Sequence, residues 1–416
     1  MLDQKTIMFN KIAATVFALS IFSVFAQKGA STDDLQLNAI TTALPFMSIN
    51  PDSRGGGMGD AGTALSANST SVYWNTSNLI FAEEDAEIGI SYVPWLRQLT
   101  NDIHLSYLSG YSKLSDRHVV GGALRYFSLG SITYTDDNAN ILREDKPSEF
   151  EFTGAYAFRL TDKMAIGLNG KFAYSNLTGG LTTAGIDSKP AIAGATDVSF
   201  TYFNEDARYG SNNGSYTFAA TLNNVGNKVS YSSSAKRDFI PMTLKLANAL
   251  KFDLDDYNSL TWAFELQRLL VPTPPIYRDG DLVSGKNNDV GVITGLLQSF
   301  SDAPGKIAKD ENGDEVKNDD GTYQIVKNSK FKEELAEINI ATGFEYIYNN
   351  TIAIRTGLFY ESPSKGGRQF FNAGVGLKYN SFRIDVSYLG ALGGRNSPLA
   401  NTLRFTLRLV LGDKKA

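Results

Sequence analysis

The chain closes on a stretch in which apolar and polar side chains alternate. One parity carries the apolar residues Leu403, Phe405, Leu407, Leu409 and Leu411. The other parity carries the polar residues Thr402, Arg404, Thr406 and Arg408. Because successive side chains of a strand point to opposite faces, this stretch predicts a β-strand with one apolar and one polar face. Such a strand suits a soluble sheet over a core, or an outer-membrane barrel with lipid outside and a polar lumen inside.

The same period of two recurs from Ala86 onward and predicts about fourteen strands. Tyr and Phe fall often at the ends of these runs, as the aromatic girdles of a membrane barrel require. In the second predicted strand the apolar, lipid-facing parity is assigned to Ile103, Leu105 and Tyr107. That assignment leaves His104 on the polar parity, which would face the lumen.

The lengths of the predicted connections alternate, which favours the membrane barrel. Short turns such as 161–163 and 380–381 alternate with long connections, of which 268–336 is the longest. A meander that crosses one bilayer gives this alternation, with short periplasmic turns and long extracellular loops. The alternation has one exception. At 204–214 it calls for a short turn, but the sequence predicts a long connection.

Composition narrows the function classes. The 416 residues include no cysteine and only two histidines, so disulfides and thiolate metal sites are excluded and no cofactor or metal is expected. A formal net charge of −5 argues against a nucleic-acid surface. His104 and His118 have no Ser and Asp at a recognisable catalytic spacing, so an enzyme is not expected.

The N-terminus predicts export. Lys5 and Lys11 precede an apolar run that ends near Ala26, which is typical of a signal peptide spanning 1–26. No later apolar run is long enough for a membrane helix, so a membrane-spanning chain would cross as strands. The expected organisation is an N-terminal segment at 27–85, a transmembrane barrel at 86–411 and a periplasmic tail at 412–416.

Glycines are concentrated between residues 54 and 62. They do not have the spacing of a dinucleotide-binding or Walker loop, and no strand precedes them. Glycine permits close backbone approach, so we expect this part of the N-terminal segment to fold into the lumen as a hatch. The residues predicted to pack there are Arg54, Gly57, Met58, Gly59, Asp60, Trp74 and Asn75.

Charged residues on the polar parity are predicted to form ion pairs inside the lumen. On the lipid face each would cost about 2 to 4 kcal/mol near the bilayer midplane. Both signs of charge are present, which favours pairs that fill the interior over an ion-selective pore. The predicted set is Glu151, Arg159, Glu265, Arg355, Arg383, Asp385, Arg404 and Arg408.

Several stretches, in chain order, resemble the PorV family. The most specific is Gly57-Met58-Gly59-Asp60, and Trp74-Asn75 follows it. PorV proteins are outer-membrane barrels of the Bacteroidetes type IX secretion system and belong to the wider FadL-like barrel group. The other matching stretches are 41–46, 269–274, 300–305, 360–363, 365–366, 368–371, 384–389 and 401–405.

The resemblance implies an all-β transmembrane barrel of about fourteen antiparallel strands with an N-terminal segment in the lumen. It implies binding of secreted proteins by their C-terminal signal domains at the translocon (SprA or Sov type), followed by delivery to the attachment proteins PorU, PorZ and PorQ. Outer-membrane lipid is the remaining partner. The alternative is a FadL-like transporter of hydrophobic small molecules, which would need an apolar route through the lumen.

The outer loops are the expected contact surface for protein partners, since long connections are more often functional than idle. The residues predicted to make these contacts are Leu270, Val271, Pro272, Pro274, Phe300, Pro304, Arg368 and Phe370. Two features depart from the family pattern. Thr76-Ser77 stand where the family has proline and a small residue, and the polar insert at 309–326 is longer than expected.

Overall fold

In a computed structural model of the chain, fourteen antiparallel strands form one closed barrel. The structure describes residues 37–97, 100–135, 138–177, 182–183, 186–232, 236–392 and 401–411. The predicted signal peptide at 1–26 and the predicted tail at 412–416 lie outside these ranges.

The strands follow one another as a meander, interrupted only by small hairpins in the long connections. The strands are β1 (Ala86–Pro94), β2 (Ile103–Ser115), β3 (His118–Leu129), β4 (Ile132–Thr135), β5 (Ile141–Asp145), β6 (Ser148–Thr161), β7 (Met164–Asn176), β8 (Thr182–Thr183), β9 (Ile186–Asp187), β10 (Ala191–Tyr209), β11 (Asn212–Gly226), β12 (Thr243–Asp253), β13 (Asn258–Leu269), β14 (Ile276–Arg278), β15 (Asp281–Ser284), β16 (Ile338–Tyr348), β17 (Ile352–Tyr360), β18 (Gln369–Tyr379), β19 (Phe382–Ala391) and β20 (Thr402–Leu411). The pairs β4–β5, β8–β9 and β14–β15 form separate hairpins, and all the other strands belong to the barrel.

The described helices are short, and the barrel wall itself consists of strands. They are α1 (Ser53–Gly57), α2 (Ser71–Trp74), α3 (Val292–Gln298) and α4 (Ser329–Ala336), with 3-10 helices at Pro45–Ser48 and Thr76–Phe81. Among the described residues, no helix is both long and apolar enough to cross a membrane.

The barrel closes where the first strand meets the last. Ile88 of β1 pairs with Leu409 of β20, and Ile90 pairs with Leu407. Closure leaves no strand edge unpaired, which is what a sheet in lipid requires. On β20, Phe405 and Leu407 are exposed on the outer face. The polar residues Thr402, Arg404, Thr406 and Arg408 are buried, so the predicted division of the two faces is confirmed on this strand.

On β2 the predicted parity is wrong. Leu105 and Tyr107 are buried inside the barrel, where they pack with Leu44 and Phe46 of the N-terminal segment. Leu108, of the opposite parity, is exposed on the outer face. His104 also lies on that face, between the rings of Tyr92 and Tyr126, whose centroids are 5.4 and 6.2 Å from its own. The interior is apolar at this strand because the N-terminal segment packs there, so apolar side chains did not mark the lipid face.

The short turns lie at one end of the barrel and the long connections at the other. Asn349, Asn350 and Asn380 adopt positive φ in the tight turns, as two-residue hairpin turns demand. The connection predicted to be long, 204–214, is also a tight turn, and that prediction is wrong. β10 and β11 stay paired through this polar stretch, with a bulge between Asn204 and Ala207. They turn at Gly210, where φ is 65°. Strands projecting into water can be polar on both faces, so composition alone suggested a loop.

Candidate functional site: the barrel lumen and the long-loop end

The Gly-rich stretch contacts the inner wall as a short, capped helix. The Asp52 carboxylate accepts hydrogen bonds from the backbone N–H groups of Arg54 and Gly55, at 3.1 and 2.8 Å, and so caps α1. Its Oδ2 also accepts a hydrogen bond from Trp74 Nε1 at 3.0 Å. A Cβ added to Gly55 would stand 2.4 Å from the Trp74 ring, so this contact depends on glycine.

Met58 and Gly59 bring the backbone of the segment directly onto the barrel wall. They lie against Gly343 of β16 and Gly357 of β17, which face each other across the strand pair. A Cβ at Gly357 would stand 2.2 Å from Gly59 N, and one at Gly343 would stand 2.4 Å from Met58 O. Gly59 itself has a φ of 73°, which strains any other residue. Glycines on both surfaces therefore allow this contact.

Asn75 ties the two halves of the N-terminal segment to the wall. Its Nδ2 donates to Thr63 O at 3.1 Å and to Thr201 Oγ1 at 2.9 Å. Thr76 donates its hydroxyl to Asn169 Oδ1 at 2.6 Å. Ser77 Oγ lies 2.8 Å from Thr201 Oγ1. Thr76 and Ser77 therefore contribute hydroxyl contacts with β7 and β10.

A continuous chain of buried ion pairs lines one side of the lumen, along the inner faces of the strands from β16 round to β1. Arg54 of the N-terminal segment pairs with Glu345 at 2.7 Å, and Glu345 pairs with Arg355 at 2.6 Å. Arg355 reaches Asp385 at 2.7 Å, and Asp385 reaches Arg408 at 3.0 Å. Arg408 then lies 3.4 Å from Glu87 on β1. The three positive and three negative charges of this chain balance, so it adds no net charge to this side of the lumen.

Further pairs join the N-terminal segment to other strands. Arg404 lies 2.9 Å from Asp60, whose φ of 63° is unusual for a non-glycine residue. Glu265 lies 3.7 Å from Lys245 and accepts a hydrogen bond from the backbone N–H of Thr63 at 3.0 Å. The Arg404–Asp60 pair and the Glu265–Thr63 hydrogen bond exist only when the segment is in place, whereas the Glu265–Lys245 pair joins the neighbouring strands β13 and β12.

Arg125 and Glu151 form the loosest of the buried pairs, at 3.9 Å. The Arg125 guanidinium lies over the rings of Tyr73 and Tyr107, 5.0 and 5.6 Å from their centroids. Its Nη1 donates to Phe46 O at 2.9 Å. The cation is thus held mainly by aromatic faces and a backbone carbonyl.

Arg159 and Arg383 lie near the short turns, away from the central chain of pairs. Arg159 donates to the backbone carbonyls of Asp116 and Ile80, at 2.8 and 3.1 Å, and makes no ion pair among the contacts of the described residues. It lines a polar cavity of about 400 Å³ at this end. Arg383 pairs with Glu84 of the N-terminal segment at 3.2 Å. Both side chains reach the rim because their positions lie at the short-turn ends of β6 and β19.

Several lumen residues were outside the predicted set. They are Glu87, Arg125, and Lys171 with Asp197, which form a buried pair at 2.8 Å. All four occupy the inward parity of their strands, so reading the charges on the face opposite each apolar row would have found them. Asp52 carried no such signal, because it lies outside the strands.

The long connection between β13 and β16 is anchored to the rim by a second group of charges. Arg268, at the end of β13, pairs with Glu337 at 2.9 Å and also with Glu334. Glu337 accepts a hydrogen bond from Thr273 at 2.6 Å and pairs with Lys365 of the neighbouring connection at 2.9 Å. Two long connections are therefore held together as one unit at this end of the barrel.

Most residues predicted to contact a partner at this end are buried. Leu270 and Val271 are 2% and 3% exposed and pack with Phe239 and Met242. Phe370 is also buried, and its ring stacks on Phe359 with centroids 6.2 Å apart. The remaining buried positions are Pro272 and Pro304.

The exposed positions of the predicted set are fewer. Phe300 is 47% exposed. Pro274 is half-buried, and its carbonyl accepts a hydrogen bond from Asn38 at 3.1 Å. Arg368 is partly exposed and makes a two-point pair with Glu361, at 2.8 and 2.9 Å. The buried residues thus support the connections, and these three are the ones a partner could reach without rearrangement.

The fold and its lumen define the class of this protein as an outer-membrane β-barrel of fourteen strands. Residues 31–276 match the sequence profile of the family described as type IX secretion system protein PorV. Because that match spans more than half of the 416 residues, the chain belongs to the PorV family. Members of this family are components of a secretion system rather than enzymes.

Other comparisons are more distant. The toluene transporter TodX of P. putida has 12% identity and a TM-score of 0.44, covering 90% of this chain and 97% of its own. The toluene transporter TbuX of Ralstonia pickettii has 10% identity and a TM-score of 0.44, covering 86% and 97%. A FadL homologue of Pseudomonas aeruginosa has 10% identity and a TM-score of 0.38, covering 89% and 98%. No curated protein sequence matches the chain.

Proposed function

We propose that this protein binds the C-terminal signal domains of secreted proteins at the type IX translocon and delivers them to the surface attachment complex. The translocon would be of the SprA or Sov type, and the attachment proteins would be PorU, PorZ and PorQ. The observation that carries the proposal is the match of residues 31–276 to the PorV family. In this proposal the long-loop end faces the cell exterior and the short turns face the periplasm.

The filled lumen supports a role for the outer surfaces. A protein that moved cargo through its own barrel would need a clear passage. Here the N-terminal segment occupies the lumen and is tied to well-separated strands: Arg54 pairs with Glu345 of β16 at 2.7 Å, and Asn75 donates to Thr201 of β10 at 2.9 Å. Breaking such buried pairs costs several kcal/mol each. Cargo would therefore meet this protein at its loops, and the translocon would supply the passage.

The alternative, a FadL-like transporter of hydrophobic small molecules, would need a continuous apolar route. The N-terminal segment, held to the wall by the Arg54–Glu345 pair, occupies the lumen through which such a route would pass. It would have to open before an apolar ligand could cross. The first proposal requires no such change, and we favour it for that reason.

A pull-down from outer membranes tests the proposal. An affinity tag can be placed at Gly313, which lies in an exposed turn with open space around it. We expect the translocon and proteins carrying C-terminal signal domains to co-purify with the tagged protein. The same membranes with an untagged chain provide the control. If neither class of protein co-purifies while the tagged barrel is recovered folded, the proposed function is wrong.

A further inference from the structure

The helix α3 leaves one apolar stripe uncovered. Its inner face packs on the rim, since a Cβ at Gly295 would stand 2.7 Å from the Phe239 ring. On its other face Ile293 and Leu297 are 64% and 66% exposed, and Phe300 continues the stripe just after the helix. The spacing i, i+4 and i+7 places these three side chains on one side of a helix. Of the three, Phe300 is partly covered by the Arg268 guanidinium and remains 47% exposed.

The helix α4 has a similar stripe, flanked by cations. Phe331 and Leu335, four residues apart, are 65% and 52% exposed. Lys330 and Lys332 are exposed on either side of Phe331. An aromatic residue between lysines is an arrangement that suits the boundary between lipid tails and anionic headgroups.

Arg268 joins the two helices into one surface. Its Nη2 donates to Ser299 O, at the end of α3, at 2.5 Å, and its Nη1 donates to Glu334 O, in α4, at 3.2 Å. The Phe300 ring lies under the same guanidinium, with its centroid 5.4 Å away. The end of α3 and the last turn of α4 therefore meet at this guanidinium. We call this surface the foot, which consists of Ile293, Leu297, Phe300, Phe331 and Leu335.

The foot continues the lipid-facing wall of the barrel. Arg268 shares the outward parity of Trp262 and Leu266 on β13, and it is the last outward residue of that strand before the connection begins. It pairs in register with Ile338, the first residue of β16. The foot thus begins where the apolar wall of β13 and β16 ends. Its Phe300 ring packs on Arg268 at that boundary.

We propose that the foot inserts into the outer leaflet of the membrane. Its apolar side chains would contact lipid tails beside the barrel, and Lys330 and Lys332 would lie near lipid phosphates. Amphipathic helices at a membrane surface bury their apolar faces about 5 to 10 Å into this boundary region. Continuity with the lipid-facing wall and the flanking cations favour lipid over a protein partner as the occupant. The inference does not depend on the proposed secretion function.

Site-specific fluorescence tests the inference, because the chain contains no cysteine and single-cysteine variants can be labelled uniquely. The variants Ile293→Cys, Leu297→Cys and Phe331→Cys carry an environment-sensitive nitrobenzoxadiazole label in the full chain, in phosphatidylcholine–phosphatidylglycerol vesicles. Ile354→Cys, on the outward face of β17, is the lipid reference. Asp319→Cys, exposed in the polar insert, is the water reference.

Labels on the foot should match the lipid reference. We expect a blue-shifted emission, quenching by lipids with a doxyl group near the headgroup, and loss of quenching by aqueous iodide. If these labels instead match Asp319→Cys in vesicles, the inference is wrong. Repeating the measurement in native outer membranes then identifies the reason. Protection there but not in vesicles would show that a protein covers the foot, and exposure in both would show that the foot is bare.

Discussion

The Arg355 guanidinium reaches Asp385 at 2.7 Å although the two residues lie on strands that are not neighbours. β18 lies between their strands, and its residue at this level is Gly376, which pairs with Asp385 on one side. A Cβ at Gly376 would stand 2.5 Å from Asp385 Oδ1 and 2.8 Å from Arg355 Nη1. The missing side chain on β18 therefore allows the central ion pair of the lumen to form.

Replacing Gly376 should separate this pair. In Gly376→Ala the new methyl group would occupy the space of the Asp385 carboxylate, and overpacking of this kind costs about 1 to 3 kcal/mol. We expect the folded barrel to unfold at a lower temperature, measured by its heat-dependent shift on a detergent gel.

The matched control is Gly170→Ala, on β7. An added Cβ there meets nothing within 4 Å, so the change should be within about 0.5 kcal/mol. Equal unfolding temperatures for Gly376→Ala and the unsubstituted chain would contradict the role assigned to the glycine.

Trp262 and Glu265 test the assignment of faces on β13. Trp262 faces outward and donates Nε1–H to Thr342 Oγ1 at 3.0 Å, whereas Glu265 is fully buried in the lumen. Trp262→Arg places a charge in lipid at a cost of about 2 to 4 kcal/mol and should reduce assembly into vesicles. Glu265→Gln keeps an oxygen that can accept the Thr63 hydrogen bond, so insertion should be little affected. Equal assembly yields for the two variants would show that the faces are misassigned.

The sequence predicted the barrel because most strands have two chemically different faces. β20 is an example, with Phe405 outward and Arg404 inward. The prediction of faces was wrong for β2 because Leu105 faces the N-terminal segment. A pattern of hydrophobicity does not distinguish a lipid neighbour from a protein neighbour. The same pattern could not reveal the role of Gly376, which depends on the register of three strands together.

Ion pairs could be predicted only as a set of residues that share an interior. The residues' inward parity was readable, but their partners were not. Arg404 pairs with Asp60 at 2.9 Å, and that contact joins positions 344 residues apart in the chain. Partners at such distances follow from how the N-terminal segment packs, which no local pattern contains.

The connection between β13 and β16 should be required for secretion but not for the barrel. Removing 270–335 leaves the fourteen barrel strands intact. We expect a variant that inserts into the outer membrane but no longer supports secretion of proteins with C-terminal signal domains. Cell fractionation and the amount of cargo in the medium measure the two effects.

A smaller deletion separates the polar insert from the rest of this connection. Ala308 N–H donates to Gln324 O at 2.7 Å, so 309–323 can be replaced by a short glycine-serine turn without disturbing the base. We expect secretion to continue in this variant, because the insert is not among the stretches that resemble the family. Normal secretion after removal of 270–335 would contradict the role given to the connection.

Order in the same connection should depend on pH through Asp302. Burial raises the pKa of this carboxyl from 3.8 to about 6, against the opposing hydrogen bonds of Thr273. The folded connection therefore holds a proton that the unfolded one releases between these values. Its contribution to stability is fully present below pH 4 and declines as the pH rises through about 6. Hydrogen exchange of residues 299–305, corrected for intrinsic rates, should show more protection at pH 5 than at pH 7.5. In Asp302→Asn, which stays neutral, the protection should be the same at both values; a difference that persists in this variant would assign the pH dependence to another group, with the nearby Glu337 carboxyl the first to examine.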